Sequence, residues 1–166
     1  MVNAIQKIAL ILGSLVLCGL SNVVFAAKIN KCSTAAIIVT KKQVGTATYY
    51  AENCGKNWQN QDIQLDFAYT QDIPEWAFKR AATYFLKKNV SNFNDASLLN
   101  QITQLYKPVK TGDNYRLSYS HLSHTLRLSL NQKQLGYIQD DQAQQYFTIW
   151  LGSQPFNAKL KQQLLN

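Results

Sequence analysis

Ile63, Leu65, Phe67 and Tyr69 alternate with Asp62, Gln64, Asp66 and Ala68, the cleanest period-two run in the chain. Successive side chains of a strand point to opposite faces, so the run predicts a strand with one face buried and the other wet. Any sheet built on it has one side to cover. The period then changes: Phe78, Ala81, Ala82, Phe85 and Leu86 recur at helical spacing, with Lys79, Lys87 and Lys88 off the stripe. Pro74 suits the first turn of this helix, with Asp72 or Ile73 as its cap. A one-faced strand followed by an amphipathic helix supplies both the surface and its cover.

The same signals recur along the chain. Residues 35–40 and 44–51 are rich in β-branched and aromatic side chains and flank Lys41, Lys42 and Gln43, which predicts a hairpin. The polar stretch 53–61, with Gly55, reads as a loop. Asn94 and Asp95 are placed to cap a second helix with Leu98, Leu99, Ile102, Leu105 and Tyr106 on one side, ended by Pro108. Beyond the Gly112-Asp113 turn, Tyr115, Leu117 and Tyr119 form one strand face and Leu126, Leu128 and Leu130 the next. A third short strand, 134–138, follows a turn at Asn131, Gln132 and Lys133. Asp140 and Asp141 then cap a helix with Ala143, Phe147, Trp150 and Leu151 on one side and Gly152 at its end. Leu160, Leu164 and Leu165 mark a last short helix. Strands joined by short turns pair antiparallel, so the reading is an α+β fold with helices layered on one face of an antiparallel sheet.

The first 26 residues stand apart. Lys7 gives a positive start, residues 8–20 are almost unbroken apolar sequence, and Val24 and Ala26 supply small residues at a cleavage site. That layout is a secretory signal peptide cut after Ala26, which leaves 27–166 as a single periplasmic or secreted domain. The apolar run is short for a retained membrane span. Leu17, before Cys18, occupies the place where a lipoprotein signal needs a small residue. Cys32 and Cys54 then remain, an even number in an oxidising compartment, and read as a disulfide. They lie symmetrically about Gln43 in the predicted turn, so an antiparallel hairpin sets them opposite each other, or diagonally if Gly45 starts a bulge. Cleavage also leaves sixteen Lys and Arg against nine Asp and Glu, a net charge of +7. No basic run exceeds two residues, so no nucleic-acid partner is expected. Weak contact with an anionic membrane surface fits this charge, and scattered lysines equally describe a solvated face.

No set of catalytic residues stands out. There is no Gly-rich phosphate loop, nucleophile elbow or metal-ligand spacing, so neither a cofactor nor a metal is expected. His121 and His124 bracket a turn with no evident carboxylate partner, and Asp72, Glu75, Asp140 and Asp141 read as helix caps.

Several segments resemble the bacterial exported members of the chalcone isomerase-like family. The run Ile63-Gln64-Leu65-Asp66-Phe67-Ala68-Tyr69-Thr70-Gln71-Asp72-Ile73-Pro74 is similar to that family's strand-to-helix entry. Lys107-Pro108-Val109-Lys110-Thr111-Gly112-Asp113, Leu128-Ser129-Leu130-Asn131, Leu135-Gly136 and above all Phe147-Thr148-Ile149-Trp150-Leu151-Gly152, with Leu164-Leu165, follow in family order and spacing. The resemblance covers residues 62–165. Residues 28–61 match poorly, the cysteine pair there looks like a local elaboration, and Gln132 stands where the family often has a turn glycine. The resemblance implies an open-faced β-sandwich. The family's plant enzymes close a flavanone ring using an arginine from an early strand, threonine and tyrosine hydroxyls and a nearby lysine; other members bind fatty acids without isomerase activity. Here the first arginine is Arg80, so the early-strand arginine has no counterpart, while Thr46 or Thr48 falls near the threonine position.

The resulting expectation is a non-catalytic exported protein that binds a small apolar ligand such as a fatty acid between sheet and helices. The alternatives are an isomerase or lyase of unknown substrate in the same cleft, or a basic protein acting at the envelope surface. Candidates for lining the cleft are Tyr49, Phe67 and Tyr69 on strands and Trp76, Tyr84 and Phe85 on the first helix, although aromatics at helical spacing equally suit a core. Protein recovered from the exported fraction should begin at Ala27; N-terminal sequencing that returns Met1 or Val2 would refute the cleavage.

Overall fold

The computed structural model describes residues 28–166; the predicted signal peptide, 1–26, lies outside the described residues. Six strands, β1 (Asn30–Val39), β2 (Lys42–Ala51), β3 (Ile63–Tyr69), β4 (Asn114–Ser120), β5 (Thr125–Leu130) and β6 (Lys133–Gln139), pair antiparallel in chain order. Helices α1 (Glu75–Asn89) and α2 (Leu98–Gln104) fill the connection from β3 to β4, and α3 (Thr148–Leu151) and α4 (Ala158–Leu165) follow β6. This is the open antiparallel sheet of an α+β fold, as the periodicity implied.

Register sets the inner side chains in rows. Tyr49 faces Leu65, Leu65 faces Leu117, and Leu117 faces Leu128, and all four are buried. A one-residue slip anywhere in this ladder would turn the row out to solvent. Ala82 and Leu86 of α1, Leu99 and Ile102 of α2, and Leu160 and Leu164 of α4 join the same core. The opposite sheet face is polar: Thr34 and Thr48 share a 3.1 Å hydrogen bond, and Arg116 donates two 2.8 Å bonds to Asp66. Only one face offers apolar area, so the helices gather there.

Helix starts depart from the sequence reading where backbone pairing intervenes. Ile73 and Val109 exchange two backbone hydrogen bonds of 3.0 and 2.9 Å, so Ile73 is held extended and α1 begins after Pro74. Asp72 therefore caps nothing. Its carboxylate accepts from Lys110 Nζ and the Thr111 amide, both at 3.0 Å, and these bonds hold its pKa below the usual carboxylate value. Ser97, rather than Asn94 or Asp95, caps α2 by accepting from the Leu99 amide. Residues Ala143–Phe147 form a 3₁₀ segment before α3, so Trp150 turns only half into the core.

The first hairpin corrects the symmetry argument for the cysteines. Its turn is Thr40-Lys41, both at positive φ, and Val44 bulges because Ile37 pairs with Gly45 while Ile38 pairs with Gln43. The hairpin centre thus lies before Gln43, and Cys32 falls in a second bulge between Lys31 and Ser33. β2 ends at Ala51, after which a turn closed by the Gly55 amide on Asn53 Oδ1 returns Cys54 to β1. The Cys32–Cys54 disulfide spans Cα atoms 5.4 Å apart.

Two glycines are set by close approach. A Cβ on Gly45 would run into the Ala68 carbonyl of β3, and one on Gly152 would meet Thr148 and Asn89, where α3 meets the end of α1. Gly152 has φ −72°, so contact rather than a left-handed turn demands glycine there. The β5–β6 turn is the reverse case: Asn131 and Gln132 adopt φ 50° and 68° without being glycine. Left-handed backbone costs a side-chain-bearing residue about 1–2 kcal/mol, partly offset by the extra freedom glycine has when unfolded. Gln132→Gly should therefore stabilise the protein by about 0.5–1 kcal/mol, read as a higher denaturation midpoint; an unchanged or lower midpoint would contradict this.

Candidate functional site

A cavity of about 300 Å³ separates the sheet from α1. Its sheet wall includes Ile37, Val44, Phe67, Tyr69, Tyr115 and Leu128; its helix wall is Ala77, Phe78, Ala81 and Ala82. Tyr106, Ile149, Trp150 and Phe156 complete the lining, with Ile73 and Val39. Val39 is 39% exposed and marks the mouth, beside the Thr40-Lys41 turn. The space has a simple origin. Where α1 crosses the sheet it presents three alanines, which stop short of the opposite wall. At about 300 Å³ the cavity sits at the lower end of the range for small-molecule sites.

The lining contains no charged side chain. Its polarity comes from the Trp150 indole N–H and from three tyrosines packed with Phe78. Phe78 stacks on Tyr106 at 5.3 Å and meets the edges of Tyr69 and Tyr115 at 5.5 Å. One of the hydroxyls is committed. Tyr115 accepts from the Lys107 amide at 2.7 Å and donates to the Lys107 carbonyl at 2.9 Å, which pins the chain after α2 to β4. Tyr106 lies close to Tyr146, whose hydroxyl is 3.0 Å from Thr103 Oγ1. Tyr69 is different: it is buried, lines the cavity, and its hydroxyl makes no hydrogen bond among the described residues. An unpaired phenol in an apolar space is a donor awaiting an acceptor.

Of the six aromatic candidates, Phe67 and Tyr69 line this space, and Phe67 packs on Trp150 at 4.8 Å. Tyr49 is buried in the neighbouring sheet row and Phe85 packs against Phe156, so neither reaches the cavity lining. Trp76 and Tyr84 need correcting outright: at 64% and 52% exposure they lie on the outer side of α1. Eight residues apart, they share one helix face, which borders Ala77 and Ala81 and lies opposite the buried Ala82. Phe78, Tyr106, Tyr115 and Trp150 escaped the sequence reading; the small residues at 77, 81 and 82 were the available signal that this helix leaves space behind it.

Other candidates scatter. Thr46 and Thr48 alternate with inward Ala47 and Tyr49, so they belong to the outer sheet face. Arg80 is exposed on α1, and Arg116 and Arg127 belong to the polar sheet face. His124 does have a carboxylate neighbour: its Nδ1 lies 2.8 Å from Asp141 Oδ1, an ion-pair distance without hydrogen-bond alignment. Among the described residues no three His, Cys, Asp or Glu side chains converge as a metal site would require.

Comparison with known proteins agrees with this geometry. A model of chalcone isomerase-like domains matches residues 35–166. The chain belongs to the chalcone isomerase-like family. The match begins within β1, so most of the region that resembled the family poorly in sequence lies inside the family domain. The fold is similar to that of a fatty-acid binding protein from Arabidopsis thaliana, with a TM-score of 0.59 and 14% identity over 84% of this chain and 85% of the other. No match is found among curated protein sequences.

Burial raises the pKa of tyrosines in and around this site of the chalcone isomerase-like domain. It pushes Tyr49 and Tyr115 up to about 12 and raises Tyr69, Tyr106 and Tyr146 as well, so their hydroxyls stay protonated at neutral pH. In the unfolded chain they ionise near 10.0. The stability they contribute is fully present below that pH and is lost as pH climbs through about 12, because only the unfolded chain releases the protons there. In an alkaline titration, tyrosinate absorbance from these residues should appear together with loss of structure. Full ionisation with the fold intact would show that the hydroxyls are not buried.

Proposed function

We propose that this protein is a non-catalytic binder of a small apolar ligand, of the fatty-acid class, held in the cavity between the sheet and α1. The observation that carries the reading is a cavity with no charged side chain in its lining, whose polar groups are limited to tyrosine hydroxyls, Tyr69 among them, and the Trp150 indole N–H. The arrangement matches the usual recipe for small-molecule sites, an apolar lining with few polar anchors. An acyl chain would replace empty space against Phe67, Ala81 and Trp150, at about 0.8 kcal/mol per methylene withdrawn from water. A carboxylate or ester oxygen would accept from Tyr69. The likeness to a fatty-acid binding protein supports the choice of ligand class. Ring closure of chalcone, in contrast, needs a cation to stabilise a developing enolate, and the lining offers none. We also propose that the protein acts after export, in the periplasm or outside the cell; the disulfide supports an oxidising compartment.

Native mass spectrometry of the purified protein should find one acyl ligand per chain. After delipidation, fatty acids should change Trp150 emission in a background with Trp58→Phe and Trp76→Phe. Ala81→Trp should abolish binding with the fold intact. Tyr69→Phe should weaken it about threefold to tenfold, as expected for one hydrogen bond. Absence of any bound or added lipid would sink the reading, and saturable chalcone turnover would replace it with an enzyme.

A further inference from the structure

Helix α1 is a cavity wall on one side and a free surface on the other. Trp76, Arg80, Tyr84, Lys87 and Lys88 are all exposed. Their helical spacing sets them along one stripe about 18 Å long. Aromatic and cationic side chains interleave, and Lys88 Nζ lies 4.5 Å from the centre of the Tyr84 ring. No carboxylate answers the cations. The ion pairs among the described residues join Lys79 to Glu75, Lys110 to Asp72, Arg116 to Asp66 and His124 to Asp141, which leaves Arg80, Lys87 and Lys88 unpaired. Glu75, the only acid on α1, is already neutralised by Lys79.

This combination has a chemical match. Trp and Tyr rings settle at the headgroup level of a bilayer, and Lys and Arg are drawn to anionic lipid phosphates. No helix among the described residues is long and apolar enough to cross a membrane, so the contact through α1 would be peripheral. We propose that the outer face of α1 docks on an anionic phospholipid surface. Trp76 and Tyr84 sit at the headgroups, and Arg80, Lys87 and Lys88 pair with phosphates. Ala77 and Ala81, each next in sequence to a stripe residue, line the cavity, so docking brings the cavity wall within about one helix diameter of lipid. The surface stands independently of what fills the cavity.

Vesicle co-sedimentation tests it. The purified protein should bind phosphatidylglycerol-containing vesicles, bind pure phosphatidylcholine vesicles much less, and release as salt rises. Arg80→Gln/Lys87→Gln/Lys88→Gln should weaken binding about tenfold or more, since each cation near the surface contributes separately. Trp76→Ser/Tyr84→Ser should weaken it too, and brominated lipid should quench Trp76. A control with the same loss of charge elsewhere, Lys56→Gln/Lys133→Gln/Lys159→Gln, should retain most of the affinity. Equal loss in the control, no loss in the α1 variants, or tighter binding to a DNA duplex than to the vesicles would overturn the proposal.

Discussion

The register that aligns Tyr49, Leu65, Leu117 and Leu128 across four strands is the constraint on which the rest depends. It gives the sheet a single apolar side, and every helix must then lie on that side. Because α1 and α2 both belong to one connection between neighbouring strands, the chain has to leave the sheet at Tyr69 and return at Asn114 on the same face. The Ile73–Val109 bridge ties the outgoing and returning chain together, and Asp72 braces the crossing with Lys110 and Thr111. These contacts fix where α1 starts and how it lies over β1 to β4.

The cavity is a by-product of that placement. Elsewhere between sheet and helices the space is filled by larger buried side chains such as Leu99, Ile102, Leu160 and Leu164, whereas α1 brings alanines to the sheet and leaves a gap bounded by rings. Rings hold such a gap open well. Each is rigid, and the edge-to-face contacts among Tyr69, Phe78, Tyr106 and Tyr115 fix their mutual angles. Of the lining tyrosines, Tyr115 is bonded to the Lys107 backbone, which fixes its ring against the chain after α2.

Much of the architecture was legible in the sequence because it follows from periodicity. The alternation at Ile63, Leu65, Phe67 and Tyr69 identified a one-faced strand, and the change of period after Pro74 identified its cover. The errors have a common cause: they concern partners remote in sequence. Ile73 looked like a helix cap because nothing local reveals its pairing with Val109. Cys32 and Cys54 were paired correctly, but on a register centred at Gln43 that the turn at Thr40-Lys41 rules out. Trp76 and Tyr84 drew attention as large aromatics, yet the cavity depends on the absence of side-chain bulk at Ala77 and Ala81, and small residues leave a weak signal. Phe78, Tyr106, Tyr115 and Trp150 meet only when four separate segments converge, so pattern along the chain could not assemble them.

The β1–β2 hairpin is clamped at one end. The Cys32–Cys54 bond holds its open end, while its closed end, Thr40-Lys41, projects beside the mouth of the cavity. A beam fixed at its root deflects most at its tip, and here the tip carries Val39 and Val44, two of the residues that border the cavity. The covalent bond thus ties the hairpin at the end remote from the cavity mouth and leaves the tip to be held by noncovalent contacts alone. Two noncovalent ties, the Thr70 amide to the Val44 carbonyl and Lys42 to Gln71, are what a deflecting tip would have to break.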